Sequence, residues 1–150
     1  MGREDEIMNA MHAVLDRKAY LDGKVLNQEL ADYTPAEVHT MIAIETGDMM
    51  NVTQLAQQLF VTRGAVSKVT KRLLKSGCLS SYKRTDNKKE LYFKLTAKGL
   101  AVYQTHQRLS AQFAQRDAEV FDQLSDAQFD GIVKFFNDFT THLDAEIEKD

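Results

Sequence analysis

The order of hydrophobic periods between Val52 and Thr96 restricts the fold of this chain more than any other feature. In "MMNVTQLAQQLF" a short connection or strand leads into a short helix capped by Thr53, with Leu55, Ala56 and Leu59 on its inner face. A brief break at Val61-Thr62 precedes a second helix, predicted from Arg63 to about Ser76 and ended by Gly77. The period then changes. "CLSSYKR" and "LYFKLT" are short and rich in β-formers or alternation, and "TDNKKE" between them is polar and turn-forming, so the three segments predict a β-hairpin.

The flanking sequence is helical. Ile7, Met8, Met11, Val14 and Leu15 mark one face of an amphipathic helix over the first ~20 residues, which Asp22-Gly23 is expected to interrupt. Thr34 as N-cap, Pro35 at the first helical position and Glu37 closing a capping box start a second helix that stops at Gly47. Beyond Thr96 and Gly99 helical spacing returns through about Gln123, and Ser125 with Gln128 opens a last helix. The fold class is mainly α with a small β-hairpin wing, in the order of a winged helix-turn-helix with long helices at both ends.

The net charge of −3 conceals a segregation. Between Thr62 and Lys98 stand eleven Lys or Arg and two acids, a local charge of +9, while the remainder carries −12. A basic block on periodic sequence inside an acidic chain is the footprint of a nucleic-acid contact, although charge alone fits a solvated basic face equally well. No apolar run is long enough to cross a membrane, and the first residues lack the basic start and apolar centre of a signal peptide, so a cytoplasmic location without membrane partners is expected. The single cysteine, Cys78, can form no internal disulfide.

Within the basic block, Val66, Val69 and Leu73 step by three and four and are expected to face the core. Arg63, Gly64, Ser67, Lys68, Lys71 and Lys75 fall on the other side. Arginine at a helix start can bond guanine bidentately in a major groove, and Thr62 and Ser67 can donate hydroxyl bonds to phosphate or bases. Gly64 would let the backbone approach closely; the plainer reading is a small residue that only lowers helix propensity. At the hairpin tip, Arg84, Lys88 and Lys89 are placed for a phosphate backbone or minor groove.

The segment "VTQLAQQLFVTRGAVSKVTKRLLKSGCLSSYKRTDNKKELYFKLTAKG" resembles the multiple antibiotic resistance regulator (MarR) family of transcriptional repressors. "VTRGAVSKVTKRLLKSG" is similar to the family's recognition helix, "DNKK" to its wing tip and "LTAKG" to the start of its dimerisation helix. The resemblance implies a homodimer that binds a pseudo-palindromic operator in double-stranded DNA and changes its grip when an effector is sensed. It also implies a DNA-binding lobe at 34–96 and a helical dimerisation region formed by 1–33 and 97–150. One departure stands in the wing, where the family's aspartate followed closely by arginine is replaced by Asn87 and Lys89, with Asp86 one residue earlier. Lysine keeps the charge but not the bidentate fork, which favours phosphate contact over minor-groove insertion.

Other chemistry is sparse. No glycine-rich phosphate loop, zinc-protease motif or spaced Cys/His cluster is present, so no enzyme, metal or cofactor is expected. His39 and His106 fall near ligand positions of the family's zinc-sensing branch, yet Ser110 stands one turn after His106 where another histidine would be needed. "AEVHTM" also resembles the branch controlling fatty-acid synthesis, in which such a histidine has no metal role. The preferred account of both is hydrogen bonding within a helix interface, with a zinc-sensing regulator as the alternative. Cys78, following Gly77, reads as a small apolar filler rather than a redox sensor. The stripe Phe129, Ile132, Val133, Phe136, Phe139, Leu143 and Ile147 predicts burial against a partner subunit, or against the chain's own first helix. A cleft near Tyr33, His39, Tyr103 and His106 is the expected small-molecule effector site. From a different class, a protein-binding winged-helix module that uses its basic face on an acidic partner remains open.

Overall fold

The computed structural model describes residues 2–149. Its elements are α1 (Arg3–Glu29), α2 (Pro35–Thr46), α3 (Val52–Leu59), α4 (Arg63–Lys75), β1 (Leu79–Arg84), β2 (Asn87–Leu95), α5 (Ala97–Asp122) and α6 (Asp126–Glu148). They fall into two compact units, one up to Ala111 and one from Gln112.

The first unit has its core where α2, α3 and α4 pack on each other and on the β1–β2 hairpin. Met41, Leu55 and Leu73 are fully buried there, joined by Val66, Val69, Ile44, Phe93 and Val102. The α2 start follows the sequence reading: Thr34 Oγ1 accepts the Glu37 N–H at 3.2 Å, and Glu37 Oε1 accepts the Thr34 N–H at 3.3 Å. Gly77, with φ +81°, takes the left-handed turn that separates α4 from the hairpin.

Three sequence expectations are corrected. Helix α1 is not interrupted at Asp22-Gly23 but continues to Glu29. A lone glycine costs only about 1 kcal/mol in a helix. Continuation brings Leu26 and Leu30 to the core and lets Lys18 donate to Asp22 at 2.6 Å, one turn on. Helix α3 is capped by Asn51, not Thr53. The Asn51 Oδ1 accepts the Gln54 N–H at 2.9 Å, and Gln54 Oε1 accepts the Asn51 N–H at 3.0 Å. Asn51 also bridges Tyr92, and the Phe93 N–H donates to Met50 O at 3.0 Å, so the connection before α3 adds a fragment of strand to the hairpin. Finally, most of "TDNKKE" belongs to β2, and Thr85-Asp86 alone forms the turn. Arg84 pairs with Asn87 across it, after a register irregularity between Tyr82 and Arg84.

In the second unit, Ser125 and Gln128 form the expected capping box at the start of α6. Along that helix Phe129, Ile132, Val133, Phe136, Leu143 and Ile147 are exposed, whereas Phe139 is half-buried. Helix α1 likewise buries none of its own residues and leaves Val14, Leu15 and Tyr20 exposed. Among the described residues no helix is long and apolar enough to cross a membrane.

Candidate nucleic-acid interface

Helix α4 sorts its residues as its spacing requires. Val66, Val69 and Leu73 are buried, together with Thr70, whose hydroxyl donates to Val66 O at 3.0 Å and so needs no outside partner. Thr62, Arg63, Gly64, Lys68, Lys71 and Lys75 are exposed, and Ser67 is half-buried. Thr62 Oγ1 accepts the Ala65 N–H at 3.1 Å, fixing the first turn. No acid stands in that turn, so the positive end of the helix dipole adds to Arg63. Of the other cations, Arg72 is drawn away toward Glu37 of α2, with Nε 3.9 Å from Oε1.

The turn that starts this helix is tight. Phe60 closes α3 in the left-handed region, at φ 55°, and its N–H donates to Gln57 O at 3.4 Å. The conformation is uncommon for a non-glycine residue. It swings the chain abruptly from the axis of α3 to that of α4.

In the wing the cations are unequal. Arg84 Nη2 donates to Asp86 Oδ2 at 2.9 Å, and its guanidinium lies 5.6 Å from the centre of the Tyr92 ring. Tyr92 in turn stacks on Tyr82, with centroids 5.8 Å apart. Lys88 and Lys89 are exposed on β2. Asn87 Oδ1 accepts the N–H groups of Lys89 and Glu90, each at 3.3 Å, and so stabilises the strand start. The pairing of Arg84 with Asp86 escaped the sequence reading because it crosses the turn and depends on how short that turn is.

A separate cavity of about 490 Å³ lies within the first unit, bounded by α1, the loop after it, the start of α2 and His106 of α5. It brings together three of the four residues expected at the effector cleft, Tyr33, His39 and His106. Tyr103 is not part of its wall; its hydroxyl accepts from Gln107 at 2.7 Å. The α1 residues Leu15, Ala19, Asp22, Gly23 and Leu26 form much of the lining and were not anticipated. Their signal was the i, i+4 succession Leu15, Ala19, Gly23, obscured by taking Gly23 as a helix end.

Burial and then the nearby His39 lower the pKa of His106, which favours the neutral ring. Its Nδ1 shares a 3.4 Å hydrogen bond with Ser110 Oγ. The Tyr33 hydroxyl is pushed up to about 12, first by its hydrogen bond with Cys78, then by burial, then by the charges of Cys78, Asp32 and Glu37. Among the described residues no group of three or more His, Cys, Asp or Glu is disposed to hold a metal ion.

The three-helix core, the two-stranded hairpin and the cationic outer side of α4 define a winged helix-turn-helix protein. Residues 33–91 match the model of the MarR family, and the chain is similar to proteins named as HTH-type transcriptional regulators. It is 30% identical over 109 residues to the HTH-type transcriptional regulator PchR of Bacillus subtilis (strain 168), a match covering 73% of this chain and 64% of that protein. Identity is also 30%, over 108 residues, with the uncharacterized HTH-type transcriptional regulator YhjH of the same organism, covering 72% and 62%. The chain thus spans somewhat less than two thirds of either relative. Two solved structures share the fold. One is Streptococcus pneumoniae FabT in complex with DNA, at TM-score 0.80, 17% identity and coverage of 95% of this chain and 98% of that one. The other is Staphylococcus aureus MarR in complex with salicylate and kanamycin, at TM-score 0.77, 16% identity and coverage of 95% and 93%.

Proposed function

We propose that the protein is a homodimeric transcriptional repressor that binds a pseudo-palindromic operator in double-stranded DNA and loosens its grip when a small molecule enters the cavity beside Tyr33, His39 and His106. The carrying observation is the two-sided α4: one side locked into the core, the other exposed, cationic and opened by a well-capped first turn. In this reading Thr62, Arg63 and Gly64 face base edges, and Ser67, Lys68 and Lys71 hold phosphates. Arg84, Lys88 and Lys89 engage the backbone beside the groove. The lobe 34–96 would bind DNA, and 1–33 with 97–150 would dimerise, covering the apolar residues that α1 and α6 leave exposed. Two recognition helices would then enter successive major grooves roughly 34–36 Å apart. FabT, the structural relative solved with DNA, supports the first half of this reading.

The test is selection of genomic fragments by the purified protein, followed by fluorescence anisotropy on the selected duplex and on a scrambled one. Preference for the selected duplex of about 10³-fold or more, with affinity falling steeply as salt rises, is expected. Equal binding to both duplexes would reject sequence-specific regulation. Absence of DNA binding, together with capture of an acidic protein, would favour the protein-binding alternative.

A further inference from the structure

The cavity wall and the far end of α4 are tied together by side chains, and the ties converge on one buried corner. Tyr33, a wall residue, accepts a hydrogen bond from the Cys78 thiol at 3.5 Å. Cys78 is completely buried and has no slack. Its N–H donates to Leu73 O in α4 at 2.9 Å, and its C=O accepts the Thr96 N–H at 3.0 Å. Gly99 packs so closely that a Cβ there would lie 2.2 Å from Cys78 O. Ser76, which caps α4, donates to the same sulfur at 3.4 Å. A second tie runs in parallel, from Glu37 in the first turn of α2 to Arg72 in the last turn of α4.

We propose that Tyr33 is the coupling residue of this protein, passing occupancy of the cavity to the recognition helix through its hydroxyl contact with Cys78. The proposal rests on the reading of that cavity as the effector site. A molecule filling the cavity presses on the Tyr33 ring, and the hydroxyl end can yield only by leaving Cys78 or by carrying the corner with it. The corner is anchored to α4 by a backbone hydrogen bond and by the Ser76 hydroxyl, so α4 pivots about its C-terminal end. With 13 residues α4 is about 20 Å long. A pivot of about 5° therefore moves Arg63, at the opposite end, by about 1.7 Å, enough to break a hydrogen bond to a base edge. Tyr33 is a positioning residue in this scheme and touches no DNA.

The experiment uses 1-anilinonaphthalene-8-sulfonate as a fluorescent cavity probe. Specific binding is the part abolished by Gly23→Leu, which fills the cavity from a position where an added Cβ meets nothing within 4 Å. Probe affinity is measured with and without saturating selected duplex, in wild type, Tyr33→Phe, Cys78→Ala and Cys78→Ser. Linkage requires the two ligands to weaken each other equally, and a factor of at least about 5 is expected in wild type. In Tyr33→Phe and Cys78→Ala that factor falls to within about 2 of unity, and in Cys78→Ala, which leaves the cavity wall intact, probe affinity without DNA stays within about 3-fold of wild type. Cys78→Ser, which keeps a donor for the tyrosine oxygen, retains the coupling. If Tyr33→Phe and Cys78→Ala both keep the wild-type factor, the coupling runs elsewhere and the proposal is overturned with the effector reading intact. If wild type shows no Gly23→Leu-sensitive binding, or binds the probe without coupling to DNA, the effector reading itself fails and takes the proposal with it.

Discussion

Replacing Gly64 by alanine separates what α4 needs in order to fold from what it needs in order to read DNA. Gly64 is the second residue of the helix, its φ lies outside the left-handed region, and an ideal Cβ built there meets nothing nearer than Thr62 Oγ1 at 4.0 Å. The protein itself therefore has room for the methyl group. Alanine restricts the unfolded chain and suits the helix, so Gly64→Ala is expected to stabilise the fold by about 0.4–1 kcal/mol, or roughly 1–4 °C in Tm for a chain of this size. Glycine in this place makes sense if another surface must come close. A methyl group between the helix backbone and a groove wall displaces the contacts of the first turn. Losing one good base contact costs about 1–3 kcal/mol, so operator affinity should fall about 5-fold or more. Scanning calorimetry and fluorescence anisotropy at fixed salt measure the two effects on the same preparation. A variant that is stabilised and binds the operator as wild type does would refute the placement of the first turn in the groove. A destabilised variant would refute the open space around Gly64.

Three further outcomes follow from the same geometry. Arg63→Ala should weaken operator binding about 10- to 100-fold while barely affecting a scrambled duplex, whereas Lys89→Ala should weaken both alike and lower the salt slope by about one unit; equal losses for both variants on both duplexes in anisotropy titrations contradict the split between base-reading helix and phosphate-holding wing. Gly99→Ala, which drives a methyl group into Cys78 O, should lose at least about 2 kcal/mol and lower Tm by about 4–8 °C, and an unchanged melting curve rules out the tight corner. Because burial and His39 lower the pKa of His106, the unfolded chain takes up this proton first as pH falls below about 6.5, so the ring's contribution to stability is intact above that pH and declines through it toward the lower folded value. His106→Gln should flatten that decline in denaturant midpoints compared at pH 5.5 and 7.5, and an identical decline in wild type and variant would show that His106 is not its source.

The helix order, the α2 capping box and the buried stripe of α4 were legible in the sequence because each rests on local spacing. What sequence left obscure depends on distant partners. Asn51 outcompetes Thr53 as the α3 cap because it can also join β2 through Tyr92, a pairing invisible before the hairpin is folded. Asp22-Gly23 has the composition of a break, yet α1 passes through it because Leu26 and Leu30 gain burial only if the helix continues. Of the candidate effector residues, the tyrosine of the α1–α2 loop and the two histidines converge on the cavity, while Tyr103, three residues before His106 on α5, turns to Gln107 instead. The α1 side of that cavity was missed for the same reason that the helix was cut short.

The wing shows how the local ties limit the motions open to a regulator of this build. Arg84 is held by Asp86 and by the Tyr92 ring, Tyr92 bridges the Asn51 cap of α3, and α3 packs on α4. Hairpin, cap and recognition helix are thus links of one chain of contacts, and α4 cannot tilt far without carrying the wing. An effector acting through Tyr33 would then reposition the whole reading head rather than disorder part of it. In a dimer such a rigid displacement acts twice, once per half-site, and changes the separation of the two recognition helices. A pseudo-palindromic operator with fixed half-site spacing tolerates that change poorly, because its grooves stand about one helical turn apart whatever the protein does. The wing's guanidinium is that of Arg84 on β1, held by Asp86, whereas Lys89 on β2 offers only an ammonium group.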